Sequence, residues 1–303
     1  MAHQKKLLVT GASGFLGWNL VTMARYDWDV YGIYNRHREP ISNATMIGLD
    51  LTDYSRLKTL FNDIKPDAVI HAAAMSNPNY CEMHRTESRK VNVDVSLSIA
   101  GLCSSQSVPL VFTSTDLVFD GTAPPYTESS KVNPVNIYSE HKVTAEEKML
   151  SVYPETTICR MPLMFGHSGS VNKGFTAEMI ASLMEGRPLT LFSDEYRTPV
   201  DAQSASAGLL LFISKAGDVF HLGGLTRISR YGMGRLMAEL LSLSSHGIIS
   251  IKQKDMPMPA ERPADVSLDS SKAMSMGYSP MGLNRALRVA AETMGGIKEN
   301  QKK

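Results

Sequence analysis

The chain carries Tyr-Ser-x-x-Lys twice, as YSEHK at 138–142 and as YSRLK at 54–58. Four residues apart on a helix, a tyrosine and a lysine share one face. An ammonium beside a phenol favours the phenolate and draws its pKa down from about 10. Such a tyrosine can pass a proton to or from a carbonyl or alcohol oxygen. With eleven tyrosines in 303 residues, roughly 0.6 accidental Tyr-x-x-x-Lys matches are expected. Spacing alone therefore does not identify a reactive pair, and position has to.

Tyr138 and Lys142 open a helix that follows FTSTDLVFDG (112–121), where Ser114 and Thr115 end an apolar strand. Thr115 offers a second hydrogen bond to the oxygen that Tyr138 would protonate. Tyr54 and Lys58 begin a helix after LDLTD (49–53), with no comparable donor nearby in sequence, and read as a solvated helix face. The predicted catalytic set is therefore Thr115, Tyr138 and Lys142.

Upstream, TGASGFLG (10–17) sets Gly11, Gly14 and Gly17 directly after the apolar run KLLVT and at the mouth of a helical pattern. A Gly-x-x-Gly-x-x-Gly arises by chance about 0.1 times in such a chain. In this context it predicts a dinucleotide site. Gly11 makes the turn, Gly14 admits a pyrophosphate and Gly17 allows close helix packing, while the helix N-terminus meets the negative charge. The second strand ends in Asn35-Arg36-His37-Arg38, with no acid before Glu39. Basic groups there suit a 2′-phosphate, so NADP(H) is preferred and NAD(H) comes second. Asp50 is placed to accept from the adenine amino group; alternatively Asp50 or Asp53 caps the next helix.

These residues need a frame. Strand patterns at 6–10, 28–34, 45–49, 67–74, 108–115 and 156–162 alternate with helical ones, including 53–64, 86–106 and 137–150. That alternation predicts an α/β fold, a Rossmann-type doubly wound parallel sheet binding ligands beyond the carboxyl ends of its strands. After Pro162 come helical stretches at 174–185, 201–214, 229–242 and 283–294, with strand-like pieces at 219–224 and 248–253. The expected organisation is a cofactor domain over 1–162, with a returning segment near 196–225. A smaller C-terminal α/β substrate lobe takes 163–195 and 226–294, and a charged, flexible tail covers 295–303.

Composition narrows the function classes. With 31 Lys+Arg against 30 Asp+Glu, no global field draws the chain to nucleic acid or an anionic membrane. AGLLLFI (207–213) is the most apolar later run and is too short to span a bilayer. The N-terminal lysines run into the glycine loop before a signal-peptide core can form. Cys81, Cys103 and Cys159 are scattered, which predicts reduced thiols, a cytoplasmic location and no metal site. His71 and His141 lack clustered partners and read as packed or solvated histidines.

TGASGFLG, DLTD, TSTDLVFDG, Tyr138-x-x-x-Lys142 and RMPLMFG stand in the order that resembles extended short-chain dehydrogenases/reductases. YRTPVDAQSAS (196–206), VFHLGG (219–224) and ERPADVSLDSSK (261–272) look like the branch containing dTDP-4-dehydrorhamnose reductases. The resemblance implies an NADP(H)-dependent reductase of a nucleotide-linked keto sugar, with Tyr138 as general acid and a homodimer as its assembly. It implies cofactor contacts from Gly11, Ser13, Gly14, Phe15, Leu16, Gly17, Asn35, Arg36, Asp50, Leu51, Ala72, Ala73, Ala74, Tyr138, Lys142 and the backbone after Arg160. It further implies substrate contacts from Asn172, Lys173, Phe175, Arg197 and Arg262, and Asn92 as a helper that positions Lys142 through water. Two departures stand out. Ser139-Glu140-His141 replaces the glycine that often follows the tyrosine. Leu117 after Asp116 removes the acid that dehydratases carry. DGTAPPYTESSKVNPVNIY (120–138) also resembles the regulatory beta subunit of methionine adenosyltransferase, an NADP-binding partner subunit, and an epimerase would use the same residues.

Overall fold

The structure, a computed structural model, describes residues 4–169 and 174–294. Asn172, Lys173 and the expected tail at 295–303 lie outside the described residues. The strands are β1 (Lys6–Thr10), β2 (Asp29–Tyr34), β3 (Thr45–Gly48), β4 (Ala68–His71), β5 (Leu110–Thr115), β6 (Thr157–Met161), β7 (Met164–Phe165), β8 (Leu189–Phe192), β9 (Tyr196–Arg197), β10 (Val200–Asp201), β11 (Val219–His221), β12 (Ile228–Ser229) and β13 (Ile248–Ile251). The helices are α1 (Phe15–Ala24), α2 (Tyr54–Ile64), α3 (Pro78–Met83), α4 (Arg85–Arg89), α5 (Val95–Gln106), α6 (Ile137–Val152), α7 (Gly174–Glu185), α8 (Ala202–Leu211), α9 (Arg230–Leu240), α10 (Ser271–Ser275) and α11 (Leu283–Thr293).

Seven strands form one sheet in the order β3-β2-β1-β4-β5-β6-β11, and every pairing in it is parallel. The predicted doubly wound Rossmann-type sheet is thus the fold that forms, and the apolar piece at 219 supplies its last strand. A parallel sheet needs cover on both faces, because its crossovers are helical. Period-two alternation divides the work. Leu7 and Val9 join a core with Leu16, Leu20 and Val21 of α1 and Ala205 and Leu209 of α8. Leu8, between them in sequence, points to Leu57, Phe61, Ile99, Cys103 and Met149 on the other face. A third core is built by Met179, Ile180 and Leu183 of α7, Leu191 of β8, Met233 and Met237 of α9, Ile248 of β13 and Leu287 of α11.

Local chemistry sets the helix ends that matter here. α2 starts where the Asp53 side chain accepts from Arg56 N and buries Leu57, Phe61 and Ile64 at helical spacing. It stops at Lys65, in the left-handed conformation at φ 53°. Asp53, not Asp50, is therefore the cap. The helix expected over 86–106 is interrupted: a π-helical turn at Lys90–Asp94 separates α4 from α5. Among the described residues, no helix is long and apolar enough to cross a membrane, and no three His, Cys, Asp or Glu side chains cluster as metal ligands.

Candidate active site

The chain runs from β1 outward to β3 and then returns to β4 on the other side of β1, so the switch in strand order lies between β1 and β4. Open α/β sheets bind ligands at this point. Gly11 follows β1 at φ +70°, and a Cβ there would stand 2.8 Å from the Ala73 backbone beyond β4. Only glycine lets these two turns close on one another. Gly17 is tighter still, since a Cβ would lie 2.1 Å from the Gly11 carbonyl oxygen. α1 begins at Gly14 with no side-chain cap and no acid in its first turn, leaving N–H groups and a positive dipole end directed into the cleft.

The cleft has a volume of about 450 Å³. Gly11, Ser13, Gly14, Phe15, Leu16, Gly17, Asn35, Arg36, Asp50, Leu51, Ala72, Ala73, Ala74, Tyr138 and Lys142 all line it. Arg36 and His37 are on its wall and exposed. Asp50 accepts from Thr52 through both N–H and hydroxyl, at 2.9 and 2.8 Å, and these bonds hold its carboxyl below the usual range. Behind the wall, the Thr10 hydroxyl accepts from Ala73 N at 3.1 Å and meets His71 Nδ1 at 2.6 Å. His71 is fully buried. Burial, then the charge of Lys142, pushes its pKa down to about 3, so it serves the core as a neutral ring. His141 similarly packs against the Ser88 hydroxyl at 2.8 Å. These features fit a dinucleotide with a 2′-phosphate: a backbone cradle that side chains would fill, an uncapped helix N-terminus and a cationic rim.

α6 delivers Tyr138 and Lys142 to the cleft. Asn136 fixes its start by accepting from the backbone and hydroxyl of Ser139 at 3.0 and 2.9 Å. Asn136 Nδ2 also donates to Glu261 O at 2.9 Å, tying the helix to the C-terminal segment. Tyr138 is buried and lies close enough to Thr115 to feel its hydroxyl. Thr115 ends β5, as expected, but it is not among the residues lining the cleft itself. Lys142 is 1 % exposed. Its ammonium donates to Thr113 O at 2.6 Å and stands 3.9 Å from the centroid of the Phe112 ring.

One electrostatic expectation is corrected. Burial pushes the Tyr138 phenol up, Asp116 adds to this, and nearby Thr115 only partly opposes it; Lys142 does not bring it toward neutrality. Burial is the largest influence because it strips water from the phenolate form. Burial lowers Lys142 itself to about 7, with Glu146 acting in the other direction. Asn92 is buried beside them. Its side chain accepts from Met75 N at 2.9 Å and donates to Met75 O and Ser88 Oγ at 3.1 and 3.2 Å. It clamps the chain just after Ala72–Ala74, from within the π-helical turn.

Beyond Thr115 the site continues into charged groups. Asp116 is 3 % exposed, and its Oδ2 lies 3.5 Å from Arg197 Nε. Arg197 is buried too and donates to Tyr196 O and Pro263 O. Arg230 pairs with Glu195 at 2.8 Å and lies over the Phe175 ring, 5.0 Å from its centroid. Arg262 is half-buried, with Asn79 Oδ1 3.4 Å from its Nη2. Thus Phe175, Arg197 and Arg262 are brought to one side of Thr115 and Tyr138. Arg230, Glu195 and Asn79 join them without having been singled out from sequence. The antiparallel pairing of β9 with β12 sets Ser229, just ahead of Arg230, opposite Tyr196. Only that tertiary contact marks Arg230.

The comparisons with known proteins follow this geometry. Residues 5–294 match the protein family described as the RmlD substrate binding domain. A "Probable low-salt glycan biosynthesis reductase Agl14" of Haloferax volcanii is 30% identical over 87% of this chain and 89% of its own length. Methionine adenosyltransferase 2 subunit beta of Danio rerio is 26% identical over 91% of this chain and 86% of its own. A crystal structure described as a hypothetical dTDP-4-dehydrorhamnose reductase from Sulfolobus tokodaii superposes with a TM-score of 0.81. It is 29% identical and covers 92% of this chain and 98% of that one. The dTDP-4-dehydrorhamnose reductase of Bacillus anthracis, crystallised in complex with NADP, shares the fold with a TM-score of 0.84 at 20% identity, covering 96% and 100% of the two chains.

Proposed function

We propose that this chain, which belongs to the RmlD substrate binding domain family, is an NADP(H)-dependent reductase of a nucleotide-linked keto sugar, of the dTDP-4-dehydrorhamnose reductase kind. The observation that carries the reading is the meeting of Tyr138, beside Thr115, with Lys142 in the glycine-loop cleft. The reductase relative from Haloferax volcanii and the solved Sulfolobus tokodaii structure support it.

When bound, NADPH supplies the hydride for the ring carbonyl carbon. The α1 N-terminus and the Gly11–Gly17 turn would hold its pyrophosphate, Arg36 would pair with the 2′-phosphate, and Asp50 would accept from the adenine amino group. Tyr138 holds the proton that the reduced carbonyl oxygen needs, and a phenol kept neutral by burial is in the right state to donate it. Thr115 shares that oxygen. Lys142, 1 % exposed, steadies the charge that forms on Tyr138 once its proton has left. Arg197, Arg262 and Phe175 form the substrate side, with the arginines facing the anionic part of the nucleotide sugar. The cofactor domain is residues 1–162 with the returning segment near 196–225; the substrate lobe is 163–195 and 226–294. The reading includes a cytoplasmic location and a homodimer, tested by fractionation and sedimentation.

NADPH oxidation with dTDP-4-dehydrorhamnose tests it: turnover by the native chain that falls by roughly 10²–10⁴ in Tyr138→Phe supports general acid catalysis, and equal rates contradict it. The methionine adenosyltransferase relative motivates a second reading, an NADP-binding regulatory subunit. A stoichiometric complex with a methionine adenosyltransferase catalytic subunit, together with no NADPH turnover, would favour it.

A further inference from the structure

The Thr115 hydroxyl has a single proton, and the structure shows where it goes. Leu117 N donates to Thr115 Oγ1 at 3.2 Å, and Thr115 Oγ1 donates to Asp116 Oδ1 at 3.2 Å. A hydroxyl can donate only once, and here that donation goes to Asp116. The reduction described above, on which this inference rests, asks something different of Thr115: it must donate to the substrate oxygen beside Tyr138. While Asp116 is a carboxylate, an acceptor only, the proton that Thr115 would donate is already committed.

Asp116 is built to change state. Its second oxygen, Oδ2, is buried without a hydrogen-bond partner. The charged groups facing it are Arg197 Nε at 3.5 Å from β9 and, farther away, Arg230 at the start of α9. Tyr138 faces it from α6. Glu195 and Asp265 act on Arg197 in turn. Burial is the largest influence on Asp116 and pushes it up to about 6, with Arg197 and the Thr115 hydrogen bond opposing.

We propose that Asp116 is a positioning residue for Thr115: its carboxylate Oδ1 holds the Thr115 proton, and a proton taken up on Oδ1 reverses that bond, so that Asp116 donates to Thr115 Oγ1 and the Thr115 hydroxyl turns to donate to the substrate oxygen. No atom is transferred to the substrate by Asp116 itself, which acts only by turning its neighbour. Activity for reduction should then fall as pH rises through the Asp116 midpoint, because the ionised form recaptures Thr115. An Asn at 116 does not titrate and, with its amide nitrogen in the place of Oδ1, donates to Thr115 at every pH.

Two measurements on the full chain test this. In the first, the Asp116 side-chain carboxyl is followed by carbon NMR against pH without substrate, its resonance assigned by its absence from Asp116→Asn. The expected midpoint is near 6, rising in Thr115→Val, which removes a donor to the carboxylate, and staying in place in Thr115→Ser, which keeps one. A midpoint that does not respond to Thr115→Val overturns the proposal whatever the substrate is. In the second, kcat/KM for dTDP-4-dehydrorhamnose is measured from pH 5 to 8. The native chain should lose about tenfold per pH unit above its midpoint, and Asp116→Asn should be flat there. Parallel profiles would overturn the proposal, because a merely structural loss lowers both at every pH. A coupled midpoint with no turnover by the native chain would uphold the Asp116–Thr115 pairing and reject the substrate reading instead.

Discussion

At the scale of single residues, the two Tyr-Ser-x-x-Lys copies separate by environment. Tyr54 is 50% exposed and opens α2, whereas Tyr138 is buried against Thr115. Tyr54→Phe should leave NADPH turnover within about twofold of the native rate, because a solvated face contributes little. Lys142 carries a stability cost as well as a role. Its folded pKa, lowered to about 7 by burial, lies below the value in the unfolded chain. The unfolded state therefore binds more protons between about pH 7 and 10.5, and stability rises with pH across that window. Lys142→Met should raise the melting temperature at pH 7, flatten that rise and abolish turnover; a lower melting temperature would contradict the account. That Tyr138 and Lys142 meet in the glycine-loop cleft was legible in the sequence from their place after the β5 segment. The direction of the Tyr138 shift was not, because the burial that raises it exists only in the fold.

Elements explain why those residues meet. The β1 turn and the α1 N-terminus were readable because glycines spaced by three have a backbone reason to be there, now visible as a Cβ that would stand 2.1 Å from a carbonyl at Gly17. Gly17→Ala should cost NADP binding at least tenfold and lower the melting temperature, since backbone cannot yield as a side chain can. Thermal shift with and without NADP measures both. Arg36 is exposed on the cleft wall, so Arg36→Ala should weaken NADP binding about tenfold while changing NAD little; equal losses would remove Arg36 from the 2′-phosphate. The broken helix over 86–106 had no clear mark in the sequence. Helical periodicity continues across Lys90–Asp94, and the π-helical turn is evident only with Asn92 bonded to Met75. The Arg230–Glu195 pair was hidden for a similar reason: its members are 35 residues apart and meet through strands of two residues each, too short to leave a pattern.

For the whole molecule, the seven-stranded sheet joins distant parts of the chain, with residues 219–221 beside 158–160 and the Glu261 carbonyl bonded to Asn136. Two buried histidines tie that assembly to pH. Burial lowers both His71 and His221 to about 3, with nearby Lys142 and Arg160 adding to the effect. Each binds fewer protons folded than unfolded below about pH 6.5, so stability drops as pH falls from 6.5 toward 3, by roughly 1.4 kcal/mol per unit for each histidine. Denaturant midpoints measured over that range should fall steeply in the native chain and less steeply in His221→Gln. The central claim, that the Thr115–Tyr138–Lys142 site reduces a nucleotide-linked keto sugar, is tested most directly by single-turnover mixing of the NADPH-loaded protein with dTDP-4-dehydrorhamnose. The account predicts loss of NADPH absorbance with one reduced sugar nucleotide formed per site, and a step slowed at least a hundredfold in Tyr138→Phe; undiminished NADPH in the native protein, or equal rates in the two proteins, would contradict it.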